Sequence, residues 1–264
     1  MTDFTAKDVQ QLRQATGVGM ADAKRALEAS GGDFDEAVQW LRVKGLGSSA
    51  KLAGRDALQG SVAAVRDGAV AALVSLRCET DFVAKSAEFV ALVDEIAARV
   101  AAEGESAVDA FADEVERLRT TLKENISIGR VVRLEAKGSQ QVDTYVHQQD
   151  GRGVNAVAIV LEGGTDELAH DIAVHVAFTK PLYLAREDVP AEDVDKERRT
   201  IEEISRNEGK PEAALEKVIE GRLSGWYKER VLLEQPYVRD EKQTIAKLLG
   251  GATIVTFAQV LVGS

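Results

Sequence analysis

Few side chains in this 264-residue chain could support chemistry: one cysteine, three histidines, one glycine-rich segment and the tetrapeptide Thr80-Asp81-Phe82-Val83. Cys78 follows Arg77, whose positive charge could lower a thiol pKa, but no histidine lies nearby in the sequence to act as a base. We therefore favour a small residue at the end of a strand, with a thiol nucleophile as the alternative.

Metal and cofactor sites are not indicated by the remaining candidates. His170 and His175 are five residues apart, about 140° around a helix, so they would not share a face as zinc ligands must. Residues 151–156, "GRGVNA", match the glycine spacing of a dinucleotide-binding loop, but a strand rather than a helix is predicted to follow. We interpret this segment as a hairpin turn. We predict no metal, no cofactor and no enzymatic activity.

The tetrapeptide "TDFV" lies between an apolar run and a helix-like stretch. Thr80 or Asp81 is suited to cap the unpaired amides of a first helical turn. Phe82 would then either pack as a hydrophobic staple or contact another molecule. Spacing alone favours the staple.

A second Thr-Asp pair provides an internal comparison. Thr165-Asp166 lies 166 − 81 = 85 residues after the first pair and is followed by Glu167, an acid favoured in a first helical turn. Capping therefore needs only the Thr-Asp pair, and Phe82 is specific to the first copy. This difference favours a contact with another molecule.

Both pairs belong to a repeated strand–turn–strand–helix pattern. Asp67-Gly68 and Asp150-Gly151 are predicted hairpin turns between β-favouring runs. Residues 107–123 predict a further helix, and "ISIGRVVRLEA" predicts a strand that completes the first sheet. The sequence thus predicts an α+β fold with two related subdomains, residues 58–139 and 140–264, each a small antiparallel sheet covered by helices on one face.

The first 46 residues predict a separate module of three short helices. Thr5 and Asp8 have the spacing of a capping box, and Val9 and Leu12 begin an apolar face. Three short helices bury little surface, which indicates a small binding unit rather than a catalytic domain. Residues 47–57 predict a flexible linker.

A strongly charged insertion, residues 187–235, interrupts the second subdomain. Gly209 and Pro211 are placed to end one helix and begin another. Apolar residues at helical spacing predict that the two helices pack as an antiparallel hairpin: Val194, Ile201 and Ile204 on the first, and Leu215, Ile219, Arg222 or Leu223, and Trp226 on the second.

Composition limits the class of partner and the compartment. Forty-four acidic and thirty-three basic side chains give a net charge of −11, which argues against a chain that mainly binds nucleic-acid phosphate. No apolar run approaches the roughly 20 residues needed to span a bilayer. A single cysteine and a polar amino-terminal segment predict a cytoplasmic protein.

Five segments resemble the elongation factor Ts family, and together they extend over nearly the whole chain. "LRQATGVGMADAKRALEASGGDFDEAVQWLRVKG" resembles the ubiquitin-associated-like (UBA-like) module of the family, and "CETDFVAK" its Thr-Asp-Phe signature. "HVAFTKPLYL", "GKPEAALEKVIEGR" and "EQPYVRDEKQTIAKLL" are similar to its His-Val-Ala, coiled-coil hairpin and Gln-Pro segments. Arg77 departs from the pattern, because family members often carry Asn there.

The resemblance implies a guanine nucleotide exchange factor for the translational GTPase elongation factor Tu. Such a factor binds the GDP-bound partner, displaces Mg2+ and promotes exchange of GDP for GTP. The resemblance assigns Mg2+ dislocation to Thr80, Asp81, Phe82 and Val83, with Phe82 inserting between partner side chains. It further implies that the amino-terminal module, including the region of Leu12, docks on the nucleotide-binding domain, and that His147 faces the partner.

The expected mode of action has alternatives in oligomeric state, in the role of Asp81 and in the class of function. The complex is expected to be 1:1 or a dimer of such complexes, without direct contact to nucleic acid or membrane. Asp81 could cap its own helix or contact the partner. The rival class is a passive binding module, in which the three-helix unit recruits ubiquitin-like or other partners and the core is a scaffold. Such a protein would bind the GTPase without accelerating GDP release.

Overall fold

The computed structural model describes residues 4–44, 52 and 54–263. Most of the predicted linker, residues 47–57, lies outside the described residues. The structure has small antiparallel sheets covered by helices, which confirms the predicted α+β class. The boundaries proposed for the individual domains remain predictions.

The amino-terminal part consists of three short helices, α1 (Ala6–Thr16), α2 (Met20–Ala29) and α3 (Phe34–Val43). The predicted capping box begins α1: the amide and hydroxyl of Thr5 both donate to the Asp8 carboxylate at 2.7 Å. Gly17 ends this helix in the left-handed region, with φ 65°. The three helices share one apolar core, formed by Val9, Leu12, Val18, Ala23, Ala26, Leu27, Ala37 and Leu41.

The first sheet has the order β1-β2-β3, with strands β1 (Gln59–Asp67), β2 (Val70–Cys78) and β3 (Ser127–Glu135). The β1–β2 turn is centred on Gly68-Ala69, one residue later than predicted, because Asp67 still pairs with Val70. Between β2 and β3 lie helices α4 (Asp81–Ala84), α5 (Ala87–Glu103) and α6 (Ala112–Leu122). The predicted helix over 107–123 is split, because a 3-10 segment, Glu105–Phe111, precedes α6.

The second sheet repeats this arrangement in the order β4-β5-β8, with β4 (Gln140–Gln149), β5 (Arg152–Glu162) and β8 (Thr253–Leu261). Its predicted turn is confirmed: Asp150 and Gly151 have φ values of 52° and 77°, as a tight hairpin turn requires. Helix α7 (Asp166–Thr179) covers one face of this sheet.

The uncovered faces of the two sheets pack against each other. Val62, Ala71 and Leu73 of the first sheet share a buried cluster with Ala158 and Val160 of the second. Strand β2 is therefore buried on both faces, which explains the apolar run from Val70 to Val74. Gly153 lies at a close approach of the two sheets, since an added Cβ would come within 2.1 Å of the Val62 carbonyl oxygen. The sequence predicted the helical cover but not this contact between sheets.

The insertion forms the predicted helical hairpin from α8 (Ala191–Asn207) and α9 (Glu212–Arg230). Leu223 rather than Arg222 enters its core, and Ile204, predicted to face the other helix, is 45% exposed. The chain then forms a two-stranded ribbon, β6 (Pro236–Tyr237) and β7 (Asp240–Thr244), and the short helix α10 (Ile245–Leu248). Across the described ranges, no helix combines the length and apolar character that crossing a membrane would require.

Candidate functional site

Thr80 is the residue that caps the helix after β2. Its backbone is extended, with φ −117° and ψ 150°, and its hydroxyl oxygen accepts a hydrogen bond from the Val83 amide at 3.3 Å. Asp81 occupies the first helical position and accepts from the Lys85 ammonium at 2.7 Å. The hydrogen bond and positive charge of Lys85 lower the pKa of Asp81. Asp81 is thus a charged first-turn residue, and the capping role belongs to Thr80.

The next two residues differ sharply in exposure. Phe82 is 81% exposed, so it does not form the buried contact that a hydrophobic staple would require. Val83 is 6% exposed and belongs to the core cluster that contains Cys78 and Phe89. The short helix α4 is therefore anchored by Val83 and presents Phe82 to the outside.

Glu124, in the loop between α6 and β3, holds this turn from the other side. One carboxylate oxygen accepts from the amides of Glu79 and Thr80, each at 3.0 Å, and the other accepts from the Thr80 hydroxyl at 2.5 Å. In return, the Glu79 carboxylate accepts from the Asn125 amide at 2.7 Å. We call this reciprocal pair of contacts the Glu79–Glu124 clasp. Sequence reasoning missed it, because Glu124 lies 44 residues from Thr80 and no local pattern connects them.

Cys78 supports the same turn as a buried thiol. It is 0% exposed, and its Sγ donates to the Thr80 carbonyl oxygen at 3.2 Å. Burial, together with the negative charge of Glu124, raises the pKa of the Cys78 thiol from 9.0 to about 12. A nucleophilic thiol needs the opposite shift, so the structure favours the strand-end interpretation of Cys78 over the thiol nucleophile.

Arg152 joins the second half of the chain to this region. It is 8% exposed at the start of β5, and its guanidinium donates to the Gly60 carbonyl oxygen at 2.5 Å and to Gln59 Oε1 at 3.3 Å. Its positive charge also lowers the pKa values of Asp81 and, against the larger effect of burial, of Cys78. The relative position of the two sheets is thus fixed close to the turn that carries Phe82.

His147 lies at the exposed end of β4, where the register with β5 shifts. Its Nδ1 is 3.5 Å from the Tyr145 hydroxyl. Both residues line an open groove of about 630 Å³ that also contains Phe178 and Lys180. Phe178 is 76% exposed. The groove therefore combines an imidazole, a cation and an accessible aromatic ring.

The other two histidines have separate environments. His170 lies 3.0 Å from Asp143, whereas His175 is fully buried and its Nε2 lies 3.0 Å from Gln235 Oε1. Burial lowers the pKa of His175. Within residues 4–44, 52 and 54–263, no group of three or more His, Cys, Asp or Glu side chains is arranged to hold a metal ion.

Leu12 is buried, unlike the exposed candidate contact residues Phe82 and His147. It is 0% exposed at the centre of the three-helix core. Its side chain therefore holds the helices together, and any contact surface in its region must come from neighbouring residues. Met20, at the start of α2, is a large apolar residue of the same module and is 50% exposed.

Comparisons with known proteins agree on one family. The profile of the family described as "Elongation factor TS" matches residues 79–264. The chain is 44% identical to elongation factor Ts of Clavibacter michiganensis subsp. michiganensis over an alignment of 278 positions, which covers 100% of both chains. It is 41% identical to elongation factor Ts of Micrococcus luteus over an alignment of 281 positions, again covering both chains completely. For elongation factor Ts of Mycolicibacterium vanbaalenii the identity is 45% over an alignment of 276 positions, covering 100% of this chain and 99% of the relative.

Proposed function

The chain belongs to the elongation factor Ts family, and from this premise we propose that it is a guanine nucleotide exchange factor for elongation factor Tu. It binds the GDP-bound GTPase, displaces Mg2+ from the nucleotide site and promotes release of GDP and its exchange for GTP during translation elongation. The observation that carries this proposal is the 81% exposure of Phe82 on a turn that is held by hydrogen bonds on both sides.

Phe82 has the properties that a wedge between partner side chains needs. A phenylalanine ring has few rotamers to lose on binding, and it brings a large apolar surface into a contact. The α4 turn is fixed beneath it by the Thr80 cap and the buried Val83. Because little conformational freedom remains to be lost, binding energy is available to deform the partner rather than to order this chain.

Displacement of Mg2+ explains how a small movement in the partner can release GDP. Mg2+ requires near-ideal octahedral geometry at short metal–oxygen distances, so a shift of its ligands by a fraction of an ångström weakens its binding. In GTPases the ion also bridges the nucleotide phosphates to the protein. In this proposal Thr80, Asp81, Phe82 and Val83 form the element that perturbs the ion, with Phe82 making the contact and Val83 anchoring it.

Two further surfaces complete the proposed interface. His147 and the exposed Phe178 lie on one groove of the second subdomain, and their accessibility supports a second contact with the GTPase. The three-helix module, which resembles a UBA-like unit, docks on the nucleotide-binding domain. Leu12 contributes to that docking by holding the module together.

The proposed exchange factor differs from an enzyme in its mode of action and from nucleic-acid-binding translation factors in its partner. It acts by binding rather than by catalysing a chemical step, it contacts neither nucleic acid nor membrane directly, and it works in the cytoplasm. The complex is 1:1 or a dimer of such complexes. The net charge of −11 agrees with a protein partner rather than a nucleic-acid partner.

The test is release of a fluorescent GDP analogue from elongation factor Tu, followed with and without this protein in an excess of unlabelled nucleotide. We expect a release rate that rises with protein concentration and saturates. A protein that binds elongation factor Tu but leaves the release rate unchanged would be a scaffold and would refute the proposal.

A further inference from the structure

We infer that Glu124 is a positioning residue for nucleotide exchange, which acts by holding the turn that presents Phe82 through the Glu79–Glu124 clasp. This inference rests on the proposed function. It assigns a role to a residue outside the Thr-Asp-Phe-Val tetrapeptide, in a loop that belongs to a different part of the chain.

The contacts of Glu124 fall on the backbone that leads into α4. Its carboxylate accepts from the Glu79 and Thr80 amides, both at 3.0 Å, immediately before the first helical residue. It also accepts from the Thr80 hydroxyl at 2.5 Å. That hydroxyl in turn accepts from the Val83 amide at 3.3 Å. Glu124 therefore fixes both the entry into the helix and the orientation of the capping side chain.

The loop that carries Glu124 is itself held in place. Lys123, at the end of α6, has φ 57° in the left-handed region, which turns the chain out of the helix directly before Glu124. The Asn125 amide donates to Glu79 Oε1 at 2.7 Å, and the Asn125 side-chain amide donates to the Arg55 carbonyl oxygen at 2.6 Å. The backbone on both sides of Glu124 is thus constrained, and this restricts where its carboxylate can lie.

The turn has few other restraints on its outer side. Thr80, Asp81 and Phe82 are all exposed, and only Val83 and Ala84 of α4 are buried. A four-residue helix has little stability of its own. Loss of the clasp would let water replace the carboxylate at the exposed Thr80 amide and at the partly buried Glu79 amide, so we expect a looser turn in a protein that remains folded.

A loose turn would reduce the rate of nucleotide exchange more than it reduces the affinity for elongation factor Tu. Phe82 can displace partner side chains only if the α4 turn beneath it keeps its position. The other proposed contacts do not involve this turn and would still hold the two proteins together. The effect should therefore appear in the GDP-release rate at saturating protein. The concentration that gives half of the maximal rate should change less.

Two substitutions separate the reach of the side chain from its charge. Glu124→Gln keeps the length: its carbonyl oxygen can accept from both backbone amides, and its amino group can donate to the Thr80 hydroxyl. Glu124→Asp keeps the charge but is one methylene shorter. Positioning predicts that Gln retains most of the exchange activity and that Asp and Ala lose it. A long-range effect of charge on the partner predicts the opposite order.

The experiment combines these variants with Phe82→Ala in a double-mutant cycle, measured by fluorescent-GDP release from elongation factor Tu. We expect Glu124→Ala to lower the saturating release rate about tenfold and Glu124→Gln to lower it less than about threefold. In the Phe82→Ala background, Glu124→Ala should have no further effect. Glu114→Ala, which removes a partly exposed acid that pairs with Arg117 on α6, is the matched control and should release GDP as wild type does.

Amide hydrogen exchange on the isolated protein gives a readout that does not depend on the partner. The Glu79 and Thr80 amides should exchange at least about tenfold faster in Glu124→Ala, while amides in the middle of β2 keep their protection. Unchanged hydrogen exchange at these two amides would overturn the inference. So would a wild-type rate of GDP release by Glu124→Ala. A double-mutant cycle in which the effects of the Glu124 and Phe82 substitutions are independent would overturn it as well. If the wild-type protein itself does not accelerate GDP release, the proposed function fails first and the role of Glu124 falls with it.

Discussion

Phe82 and Val83 are adjacent on the first turn of α4, yet Phe82 is 81% exposed and Val83 is 6% exposed. The two apolar side chains therefore have different tasks. Val83 belongs to the core beneath the first sheet, together with Cys78 and Phe89. Phe82 has an apolar surface without a buried position in this chain, which is the property expected of a residue that contacts another protein.

The first prediction uses this difference. Phe82→Ala should leave the melting temperature unchanged and abolish most of the stimulation of GDP release, because the ring contributes little to the core. Val83→Ala should lower the free energy of unfolding by about 2 kcal/mol, since it removes two buried methyl groups and leaves a cavity. Thermal denaturation and fluorescent-GDP release on both variants provide the measurement.

Val255→Ala is the matched control for Phe82→Ala. Val255 is an apolar residue that is 41% exposed, and it lies near the start of β8 in the second sheet, whereas Phe82 follows β2 of the first sheet. Its removal should change neither stability nor exchange. A large drop in the melting temperature of Phe82→Ala would show that the ring packs within the chain, and normal exchange by that variant would exclude the wedge.

The second prediction concerns Cys78, whose thiol pKa is raised by burial from 9.0 to about 12. Below pH 9.0 the thiol is protonated in both the folded and unfolded states, so its full contribution to stability is present. Above that pH the unfolded state releases the proton first, and the free energy of unfolding falls until about pH 12 is reached. Cys78→Ala should lack this part of the pH dependence.

Chemical denaturation of wild type and Cys78→Ala across this pH range isolates the effect, because lysines and tyrosines contribute equally to both proteins. Iodoacetamide offers an independent check. The native thiol should react slowly at pH 8 and rapidly in denaturant, since the thiolate is the reactive form. Rapid alkylation of the native protein together with loss of activity in Cys78→Ser would support a thiol enzyme instead.

The features that the sequence predicted correctly depend on neighbouring residues. Thr5 and Asp8 form a capping box within one helical turn. Asp150 and Gly151 form a hairpin turn because these two adjacent residues both have positive φ. Such signals are local, because the interacting groups are separated by three residues or fewer. The α+β class followed from the order of these local elements.

The features that the sequence did not predict depend on distant segments. Glu124 meets Thr80 across 44 residues, and Gly153 approaches Val62 across the interface between two sheets. Neither residue type carries a signal in one sequence, because a loop glutamate and a glycine after a turn are both common on protein surfaces. The sequence could single out Phe82 as a candidate contact residue because the second Thr-Asp pair lacks an aromatic residue, whereas Glu124 had no such internal comparison.

The third prediction tests the independence of the three-helix module. Its helices share a core of their own, and Leu12 is fully buried at the centre of it. Removal of residues 1–50 should therefore weaken binding to elongation factor Tu and leave the remainder folded. Circular dichroism and titration calorimetry on the truncated protein measure both properties. An unfolded or aggregated product would show that the two sheets require the module for their stability.

The last prediction concerns reciprocity between this protein and GDP. An exchange factor must bind the nucleotide-free GTPase more tightly than the GDP-bound form, and by linkage each ligand weakens the other by the same factor. We expect a coupling of at least about 1–3 kcal/mol, and Mg2+ should increase it because the ion favours the nucleotide-bound geometry that Phe82 opposes. Titration calorimetry against nucleotide-free partner and against GDP-loaded partner in excess Mg2+ measures the difference, and Phe82→Ala should reduce it. Equal affinity for both forms would leave only a scaffold, because a ligand that binds two states equally shifts neither.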